Sequence, residues 1–385
     1  MKIALVIENL DVTRGGRETS TAQIAAALAA AGQQVTVLCQ SGSPPADLPY
    51  KIRPLGKRGL QRTTRFAEFQ AAVAQAAKDE TFDIVHAMMP LAGANVYQLR
   101  SGTVPAQFEA SLRRRSALAR PLVRLAWKCN KYRQLTGQVE RQLAADPRVL
   151  LLPVSQMVAD ELATHYGRRD NVRVVYNAVD LPAADDEQRQ HWRQQLRYKL
   201  AMKSDDLLML VVAKNFALKA VAETIQAFAV WQHTLSRGRK AQLVVVGRHP
   251  VEVEGYQRHA SLREVGRQVH FVEHDKEIFR WYSAADANIL LSWYDPCSRV
   301  VLEATRWGVP SITTAFNGAA EVLRQHDCGV VVSSPGAQRE VVKAIAELTD
   351  DARRTAMAAK CLSAGDGLSI QCHVQQLIEA YQAIR

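Results

Sequence analysis

Short apolar runs alternate with longer stretches of helical pattern along this chain, and this alternation is the feature that most restricts its fold. Strands that alternate with helices form βαβ units, in which the strands are parallel. The sequence therefore predicts an α/β fold with a parallel sheet in its first half. The runs there are "KIALVIE" (Lys2–Glu8), "QVTVLCQ" (Gln34–Gln40), "FDIVHAM" (Phe82–Met88) and "VLLLPVS" (Val149–Ser155).

The alternation is interrupted and then starts again. The segment Val174–Gln188 is polar and rich in turn residues, and a charged helical stretch follows it. A chain of 385 residues is too long for one ordinary domain. We predict two Rossmann-like domains, residues 1–180 and 200–365, and a C-terminal helix at 366–385 that crosses back to the first domain. The runs of the second half are Leu207–Ala213, Ala241–Gly247, Gln268–Glu273, Ala287–Ser292, Pro310–Thr314 and Gly329–Ser333.

The chain is basic, with a net charge of +11 and an isoelectric point near 9.5. Such a charge attracts polyanions, which include nucleic acids, anionic lipids and phosphorylated substrates. The sequence has no helix-turn-helix, zinc-finger or RNA-binding signature, so we expect no nucleic acid partner.

Cysteine usage and hydropathy indicate the cellular compartment in which the protein is found. The six cysteines form neither a C-x-x-C pair nor a spaced Cys/His set, so reduced thiols and no metal are expected. No apolar run reaches the roughly 18 residues of a membrane-spanning helix. The opening apolar run meets Glu8 and Asp11 too soon for a signal peptide. We expect a cytoplasmic protein.

A nicotinamide-dependent dehydrogenase is the ordinary interpretation of an α/β chain. It requires G-x-G-x-x-G between the first strand and the first helix. This chain has only Gly15 and Gly16 at that place, so the interpretation is weak.

The stretch "YDPCSRVVLEATRWGVP" (Tyr294–Pro310) predicts a helix with an anion-binding start. Proline is favoured at the first helical position, which places Pro296 there and makes Asp295 the N-cap. Gly308 and Pro310 then end the helix.

The N–H groups at the start of this helix, those of Cys297, Ser298 and Arg299, suit a phosphate. Glu303 follows Asp295 by eight residues, about 12 Å along a helix axis. That span fits a nucleotide-diphosphate sugar, which has hydroxyl groups at both ends and an anionic middle. The alternative is that Asp295 only caps the helix and that Glu303 faces solvent.

The segment "DPCSRVVLEA" resembles the E-x7-E motif of family 4 glycosyltransferases, with Asp in place of the first Glu. The resemblance covers most of the chain and extends to bacterial enzymes that build lipopolysaccharide cores. It implies the GT-B fold, in which two Rossmann-like domains face a cleft, and a retaining reaction. It further implies that no metal and no cofactor are needed, since the nucleotide sugar is a co-substrate. It also implies that 1–180 binds the acceptor and 200–365 the nucleotide sugar. Other segments in the family's order are "FDIVHAMMP", "LLPVSQMVADEL", "VRVVYNAVDL" and "LVVVGRHP".

The resemblance implies roles for individual donor-side residues. Asp295 would contact the hydroxyls of the donor sugar and Glu303 those of the ribose, since ionised carboxylates accept hydrogen bonds from hydroxyl pairs. "VAKNFALKA" resembles the family's G-R-x-x-x-x-K-G. By this resemblance Lys214 and Lys219 would bind the diphosphate and stabilise the negative charge that develops on it. Two solvated surface lysines are the alternative. Asp295, Lys214 and Lys219 are the predicted catalytic residues, and the rest of the donor set is Cys297, Ser298, Arg299, Val300, Val301, Gly15, Gly16 and Asn317.

In family 4 glycosyltransferases, the turn after the first strand lies near the diphosphate and the acceptor. Gly15 and Gly16 would let the backbone approach a ligand closely, or they form an ordinary strand-to-helix turn. Arg14 and Arg17 flank this turn. They either meet an anionic acceptor or are solvated.

Two further residues are assigned to the acceptor side. His86 ends a strand where the family often has His, although a packed core histidine explains it as well. Many relatives carry a His in the segment that here reads "VYQLRSGTV" (Val96–Val104), and Arg100 is the nearest replacement. On the donor side, the turn with Asn317 resembles the family's, and a capped helix start is the alternative.

A basic amphipathic stretch, Ser111–Leu135, interleaves leucines with arginines and lysines. Such a helix is typical of binding to an anionic membrane surface, at about 1 kcal/mol per surface cation. The alternative is a helix whose apolar face packs in the core.

Together with these patterns, the resemblance implies a retaining, metal-independent hexosyltransferase. Its donor would be a UDP- or GDP-sugar and its acceptor a hydroxyl of a lipid-linked or phosphorylated saccharide of the cell envelope. Its place would be the cytoplasm or the cytoplasmic face of the inner membrane. The alternatives are a GT-B sugar-nucleotide epimerase, which needs acid and base groups, and a non-catalytic nucleotide-sugar-binding protein.

Overall fold

The chain divides into two compact units, Met1–Ala178 with Ser369–Arg385 and Val179–Leu368. The structure is a computed structural model, and the residues that it describes are 1–11, 16–42, 47–235, 240–247 and 253–384.

The first unit is built on a parallel sheet. Its described strands are β1 (Lys2–Val6), β2 (Asn9–Leu10), β3 (Gln34–Cys39), β4 (Ser41–Gly42), β5 (Lys51–Pro54), β6 (Ile84–Ala87), β7 (Val96–Leu99) and β8 (Leu150–Pro153). Six of them pair in the order β5-β3-β1-β6-β7-β8, and β2 pairs with β4. The helices between them are α1 (Gly16–Ala30), α2 (Arg62–Asp79), α3 (Val104–Arg113), α4 (Arg120–Cys129), α5 (Lys131–Ala145) and α6 (Gln156–Tyr166), with a 3-10 helix at Ala117–Ala119.

The second unit repeats this architecture. Its described strands are β9 (Leu207–Val212), β10 (Ala241–Val246), β11 (Val269–Val272), β12 (Ala287–Leu290), β13 (Ser311–Thr314) and β14 (Gly329–Val332). They form one parallel sheet in the order β11-β10-β9-β12-β13-β14. Its helices are α7 (Asp186–Lys199), α8 (Val221–Gln232), α9 (Val253–Ser261), α10 (Ile278–Ala284), α11 (Arg299–Arg306), α12 (Ala320–His326), α13 (Gln338–Leu348) and α14 (Asp351–Gly365), with a 3-10 helix at Asp366–Leu368.

Strand β9 shows why the strands read as continuous apolar runs. Successive side chains of a strand point to opposite faces of the sheet. Leu207, Met209 and Val211 lie in the core on one face, whereas Leu208 and Leu210 lie in the core on the other. Because helices cover both faces, every position along the strand is apolar.

The helix after the second unit, α15 (Ile370–Gln382), completes the core of the first unit. Burial of such side chains stabilises the fold by about 1.5–3 kcal/mol each. The structure therefore confirms the predicted fold class, two Rossmann-like parallel α/β units with a C-terminal helix that crosses back to the first. The buried residues of α15 that join this core are Ile370, Val374, Leu377, Ala380 and Tyr381.

Gly247 follows β10 at a point where two backbones nearly touch. A Cβ atom at this position would lie 1.8 Å from the carbonyl oxygen of Ala213, the residue after β9. Only glycine lacks that atom, so it alone permits the close approach. The approach positions the loop that begins with Lys214.

Candidate functional site

Four of the predicted donor-side residues lie at the carboxyl ends of three adjacent strands of the second sheet, whereas Gly16 begins α1 in the first unit. β9 pairs with β12, and β12 pairs with β13. The loop after β9 carries Lys214 and Lys219, the segment after β12 carries Asp295, and the loop after β13 carries Asn317. In parallel α/β sheets this edge is where ligands bind.

Lys219 and Asp295 form an ion pair between two of these loops. The loop after β9 is held by Asn215, whose side-chain Oδ1 accepts from Leu218 N at 3.0 Å and whose carbonyl accepts from Lys219 N at 2.9 Å. Trp293 N donates to Leu218 O at 3.0 Å and joins the loop to the segment after β12. The structure thus brings two of the three predicted catalytic residues together.

Lys214, the third predicted catalytic residue, is exposed directly after β9. The loop between the two lysines ends at Ala220, whose φ of 51° is left-handed. Glycine adopts this conformation more readily than alanine. This explains physically why the resembling motif has glycine at that position.

The predicted start of the helix at Pro296 is wrong. α11 begins at Arg299, and its N-cap is Ser298. Asp295 instead lies beside the loop after β13, where its N–H donates to Phe316 O at 2.9 Å. The Asp295 carboxylate therefore does not cap α11. Its side chain is held by Lys219.

Asn317 explains why the helix starts where it does. Its Oδ1 accepts from Ser298 N and from Ala319 N, both at 3.1 Å, and its Nδ2 donates to Thr313 at 2.9 Å. Asn317 is buried, so in this structure it fixes the start of α11. Cys297 and Ser298 precede the helix and are buried. The first turn consists of Arg299, Val300 and Val301, positions whose N–H groups have no acceptor within a helix.

Glu303 does not face solvent, so that alternative is wrong. Only 14% of its side chain is exposed. Its Oε2 accepts from the Tyr282 hydroxyl at 3.0 Å, and its Oε1 pairs with Arg299 at 3.4 Å. Burial raises the pKa of Glu303, and Arg299 and Tyr282 partly offset this rise. Arg299 therefore makes a local salt bridge within α11.

Tyr282 is a residue of this site that the sequence did not reveal. It lies on α10, is buried, and donates its hydroxyl hydrogen to Glu303. In the sequence it follows Trp281 in an aromatic helix, which is the usual pattern of a core residue. No spacing rule connects it to Glu303.

His86 is fully buried in the first unit, where its Nδ1 lies 2.6 Å from the hydroxyl of Tyr381 on α15. Burial, followed by the nearby His373 and Arg100, lowers the pKa of His86 to about 3. The imidazole is therefore neutral near pH 7. These contacts favour the packed interpretation of His86 over an acceptor-side role.

Arg100 joins β7 to α1. Its guanidinium donates to Thr21 Oγ1 at 3.0 Å and to the hydroxyl of Ser20. Arg17 is exposed on the first turn of the same helix, which begins at Gly16. The predicted residues Arg14 and Gly15 lie outside the described residues.

The basic stretch forms α4 and its flanks, and its leucines are not in the core. Leu118, Leu122 and Leu125 are 92%, 71% and 60% exposed. They recur at helical spacing and so share one face. Trp127 packs against Phe108, with ring centroids 4.9 Å apart. The core alternative for this stretch is therefore wrong.

Two features are absent from the part of the chain that the structure describes. There, no group of three or more His, Cys, Asp or Glu side chains is arranged to hold a metal ion. No described helix combines the length and apolarity required to cross a bilayer.

The two halves of the chain match two glycosyltransferase family models. Residues 14–182 match the model of Glycosyltransferase Family 4. Residues 193–362 match the model of Glycosyl transferases group 1.

Individual relatives agree with these matches. The chain is 23% identical over 347 residues to the lipopolysaccharide glucosyltransferase WaaG of Escherichia coli K12, which covers 89% of both chains. A crystal structure of WaaG, a glycosyltransferase involved in lipopolysaccharide biosynthesis, superposes with a TM-score of 0.79 at 21% identity over 99% of both chains. Anabaena HepE in complex with UDP and glucose superposes with a TM-score of 0.72 at 19% identity over 100% of both chains.

Proposed function

The chain belongs to the family 4 glycosyltransferases of GT-B fold, and from this premise we propose a specific reaction for it. It transfers a hexose, with retention of configuration, from a UDP- or GDP-sugar to a hydroxyl of a lipid-linked or phosphorylated saccharide. The product belongs to cell-envelope polysaccharide or lipopolysaccharide synthesis. The relation to WaaG and the UDP and glucose bound by HepE support this choice of donor and pathway.

The observation that carries the proposal is the Lys219–Asp295 ion pair at the carboxyl edge of the second sheet, beside the start of α11. In the proposed complex Lys219 and Lys214 bind the diphosphate, together with the N–H groups of the first turn of α11. Asp295 accepts from hydroxyls of the sugar, and Glu303 accepts from those of the ribose.

The proposed step uses no enzyme nucleophile and no metal. The bond between the anomeric carbon and the phosphate oxygen breaks, and a bond to the acceptor oxygen forms on the same face. The acceptor proton goes to an oxygen of the departing diphosphate. The two lysines and the helix start stabilise the negative charge that develops on this group.

Release of nucleoside diphosphate from a panel of sugar nucleotides, with and without saccharide acceptor, tests the proposal. At donor concentrations below KM, turnover should be slowed at least about tenfold by Lys219→Ala and by Glu303→Ala, since each removes a charged contact to the donor. Lys276→Ala and Glu254→Ala change exposed residues of the same unit and serve as controls. Chelation of divalent ions should leave the rate unchanged. If neither test substitution slows turnover, the site is misplaced.

The same assay separates the two alternatives. An epimerase would change the sugar without releasing diphosphate. A binding protein would show calorimetric affinity for the nucleotide sugar without turnover.

We also propose that α4 attaches the protein to the cytoplasmic face of the inner membrane, where a lipid-linked acceptor resides. Three exposed leucines share a face, and exposed Arg120 and Arg124 lie on the same helix. This combination of an apolar face and cations is typical of helices that lie in an anionic interface.

Vesicle sedimentation tests this attachment. Leu122→Gln with Leu125→Gln should weaken binding to phosphatidylglycerol vesicles by about tenfold or more, because each removes an apolar side chain from the interface. Leu262→Gln, at a leucine that is 77% exposed in the second unit, is the matched control. Equal binding of both variants would contradict the assignment to α4.

A further inference from the structure

The first unit contains a pocket of about 230 Å³ whose lining includes the segments that follow β1, β6 and β7. Four arginines line it, two of which, Arg62 and Arg133, have no role in the proposed transfer. Arg62 lies at the start of α2, and Arg133 lies in the first turn of α5. The carboxyl end of a parallel sheet is the usual place for a ligand.

Arg62 and Arg133 are each stacked on an aromatic ring. The Arg62 guanidinium carbon lies 3.8 Å from the ring centre of Tyr132, and that of Arg133 lies 3.9 Å from the ring centre of Trp127. The contact with the ring restrains each guanidinium, and a guanidinium carries its N–H donors in a planar fork. Such a fork matches two oxygens of one phosphate.

No carboxylate neutralises these two arginines within the described ranges of the chain. They are instead close to each other. Partial burial, and then the charge of Arg62, lower the pKa of Arg133. Two like charges held together in a pocket are stabilised by an anion between them.

The other two arginines of the lining are Arg100 and Arg17. Arg100 donates to Ser20 and Thr21 and so forms part of the wall. Arg17 is exposed at the rim.

The floor of the pocket offers a polar group that lacks a protein partner. Gln98 on β7 is fully buried, and neither its Oε1 nor its Nε2 has a hydrogen-bond partner among the described residues. Glu140 beside it is different, because it accepts from Tyr97 at 3.0 Å, from Tyr166 at 2.7 Å and from Val104 N at 2.7 Å. A ligand hydroxyl could both donate to and accept from the Gln98 amide.

Two acidic residues, Glu8 and Glu18, also line the pocket. Carboxylates repel phosphate and accept hydrogen bonds from hydroxyls. They therefore direct a mixed ligand, with its phosphate toward the arginines and its hydroxyls toward the remaining lining.

We propose that this pocket binds a phosphorylated sugar of the acceptor saccharide, with its phosphate on Arg62 and Arg133 and a hydroxyl at Gln98. The inference rests on the proposed transferase function only in naming the ligand as part of the acceptor. The binding itself is measured without donor or turnover, so its failure is distinguishable from failure of the proposed reaction.

Calorimetry with glucose 6-phosphate, glucose and inorganic phosphate tests the site. The wild type should bind glucose 6-phosphate more tightly than either of the other two. Arg62→Gln with Arg133→Gln should weaken this binding at least about tenfold, because two charged contacts are lost. Arg120→Gln with Arg124→Gln removes the same charge from exposed positions of α4 and should leave it unchanged. Absence of binding of both phosphate compounds, or equal loss in both double variants, would overturn the proposal.

The variant Gln98→Leu keeps the assignment testable even if the arginine variants fold poorly. Removal of a buried amide without a partner should raise the unfolding midpoint. The affinity for glucose 6-phosphate should nevertheless fall. A gain in stability with unchanged affinity would refute the role of Gln98.

Phosphatidylglycerol vesicles distinguish a sugar phosphate from a lipid phosphate. Arg62→Gln with Arg133→Gln should retain vesicle binding, whereas Arg120→Gln with Arg124→Gln should lose it. If the pocket variant loses vesicle binding as strongly as the α4 variant, the pocket binds lipid headgroups and the acceptor assignment is wrong.

Discussion

At the scale of single residues, Lys219 and Asp295 neutralise each other before a donor is present. Their side chains are 20% and 14% exposed, so each charge is partly removed from water and is stabilised by the other. In the proposed complex the donor takes over both partners, since its diphosphate attracts the ammonium and its sugar hydroxyls donate to the carboxylate. In the proposed complex, donor binding thus exchanges one ion pair for two new contacts.

Asp295→Asn should separate the two roles of this pair. Without the carboxylate, Lys219 is available to phosphate, so UDP alone should bind as tightly as before or more tightly. Turnover should fall about ten- to hundredfold, because the contact to the sugar is lost. Calorimetry with UDP and a diphosphate-release assay check this, with Glu254→Gln as control. Weaker UDP binding by the variant would show that Asp295 does not restrain Lys219.

Tyr282→Phe tests whether Tyr282 positions Glu303. The ring stays in place while the hydrogen bond to the carboxylate is lost. We expect KM for the donor to rise about three- to tenfold with little change in kcat, because the ribose contact is the same in ground and transition states. Tyr198→Phe, at a side chain that is 86% exposed, is the control. An effect on kcat alone would contradict a role in ribose binding.

At the scale of elements, most of the described strands are predictable from sequence because both faces of each sheet are buried, as the continuous apolar run of β9 shows. The exceptions in the first large sheet are β5 and β7, which contain polar residues and are not among the predicted runs. The start of α11 is not predictable in this way. Its backbone is held by the side chain of Asn317, which follows another strand, and local rules favour Pro296 as the first residue instead. For a similar reason, the sequence does not predict that Arg62 lies over Tyr132 or that Arg133 lies over Trp127. These contacts depend on how α2, α4 and α5 pack.

The end of β10 and the first turn of α9 provide a matched pair of glycine substitutions. Gly247→Ala should destabilise the protein by several kcal/mol or prevent folding, because the new Cβ would lie 1.8 Å from Ala213 O. Gly255→Ala should stabilise it by about 0.5–1 kcal/mol, since its Cβ meets nothing within 4 Å and alanine favours helix. Urea unfolding of both variants checks this. If Gly247→Ala left the free energy of unfolding unchanged, the two loops could separate without destabilising the protein.

At the scale of the whole molecule, stability should depend on pH through His86. Its pKa is about 3 in the folded protein and about 6.5 in the unfolded chain. The unfolded state therefore binds the extra proton between these values, and stability falls as pH decreases below about 6.5, by up to about 1.4 kcal/mol per pH unit.

Urea unfolding at pH 7 and pH 5 measures this loss. His86→Gln cannot take up the proton and should show a smaller decrease between the two pH values, although it is less stable at pH 7. The other titratable and charged groups around His86 are Tyr381, His373 and Arg100. An identical decrease in wild type and variant would assign the pH dependence to other groups.

The position of α15 has a consequence for biosynthesis. A ribosome makes the six strands of the first sheet early, but the helix that closes their core emerges only after all of Val179–Leu368 has been translated. Throughout that interval the nascent first unit exposes the apolar surface that α15 covers in the finished protein. The unit that is synthesised first can thus complete its core only after the second unit has been translated. Chaperones that bind newly made proteins would meet the first unit with this apolar surface exposed.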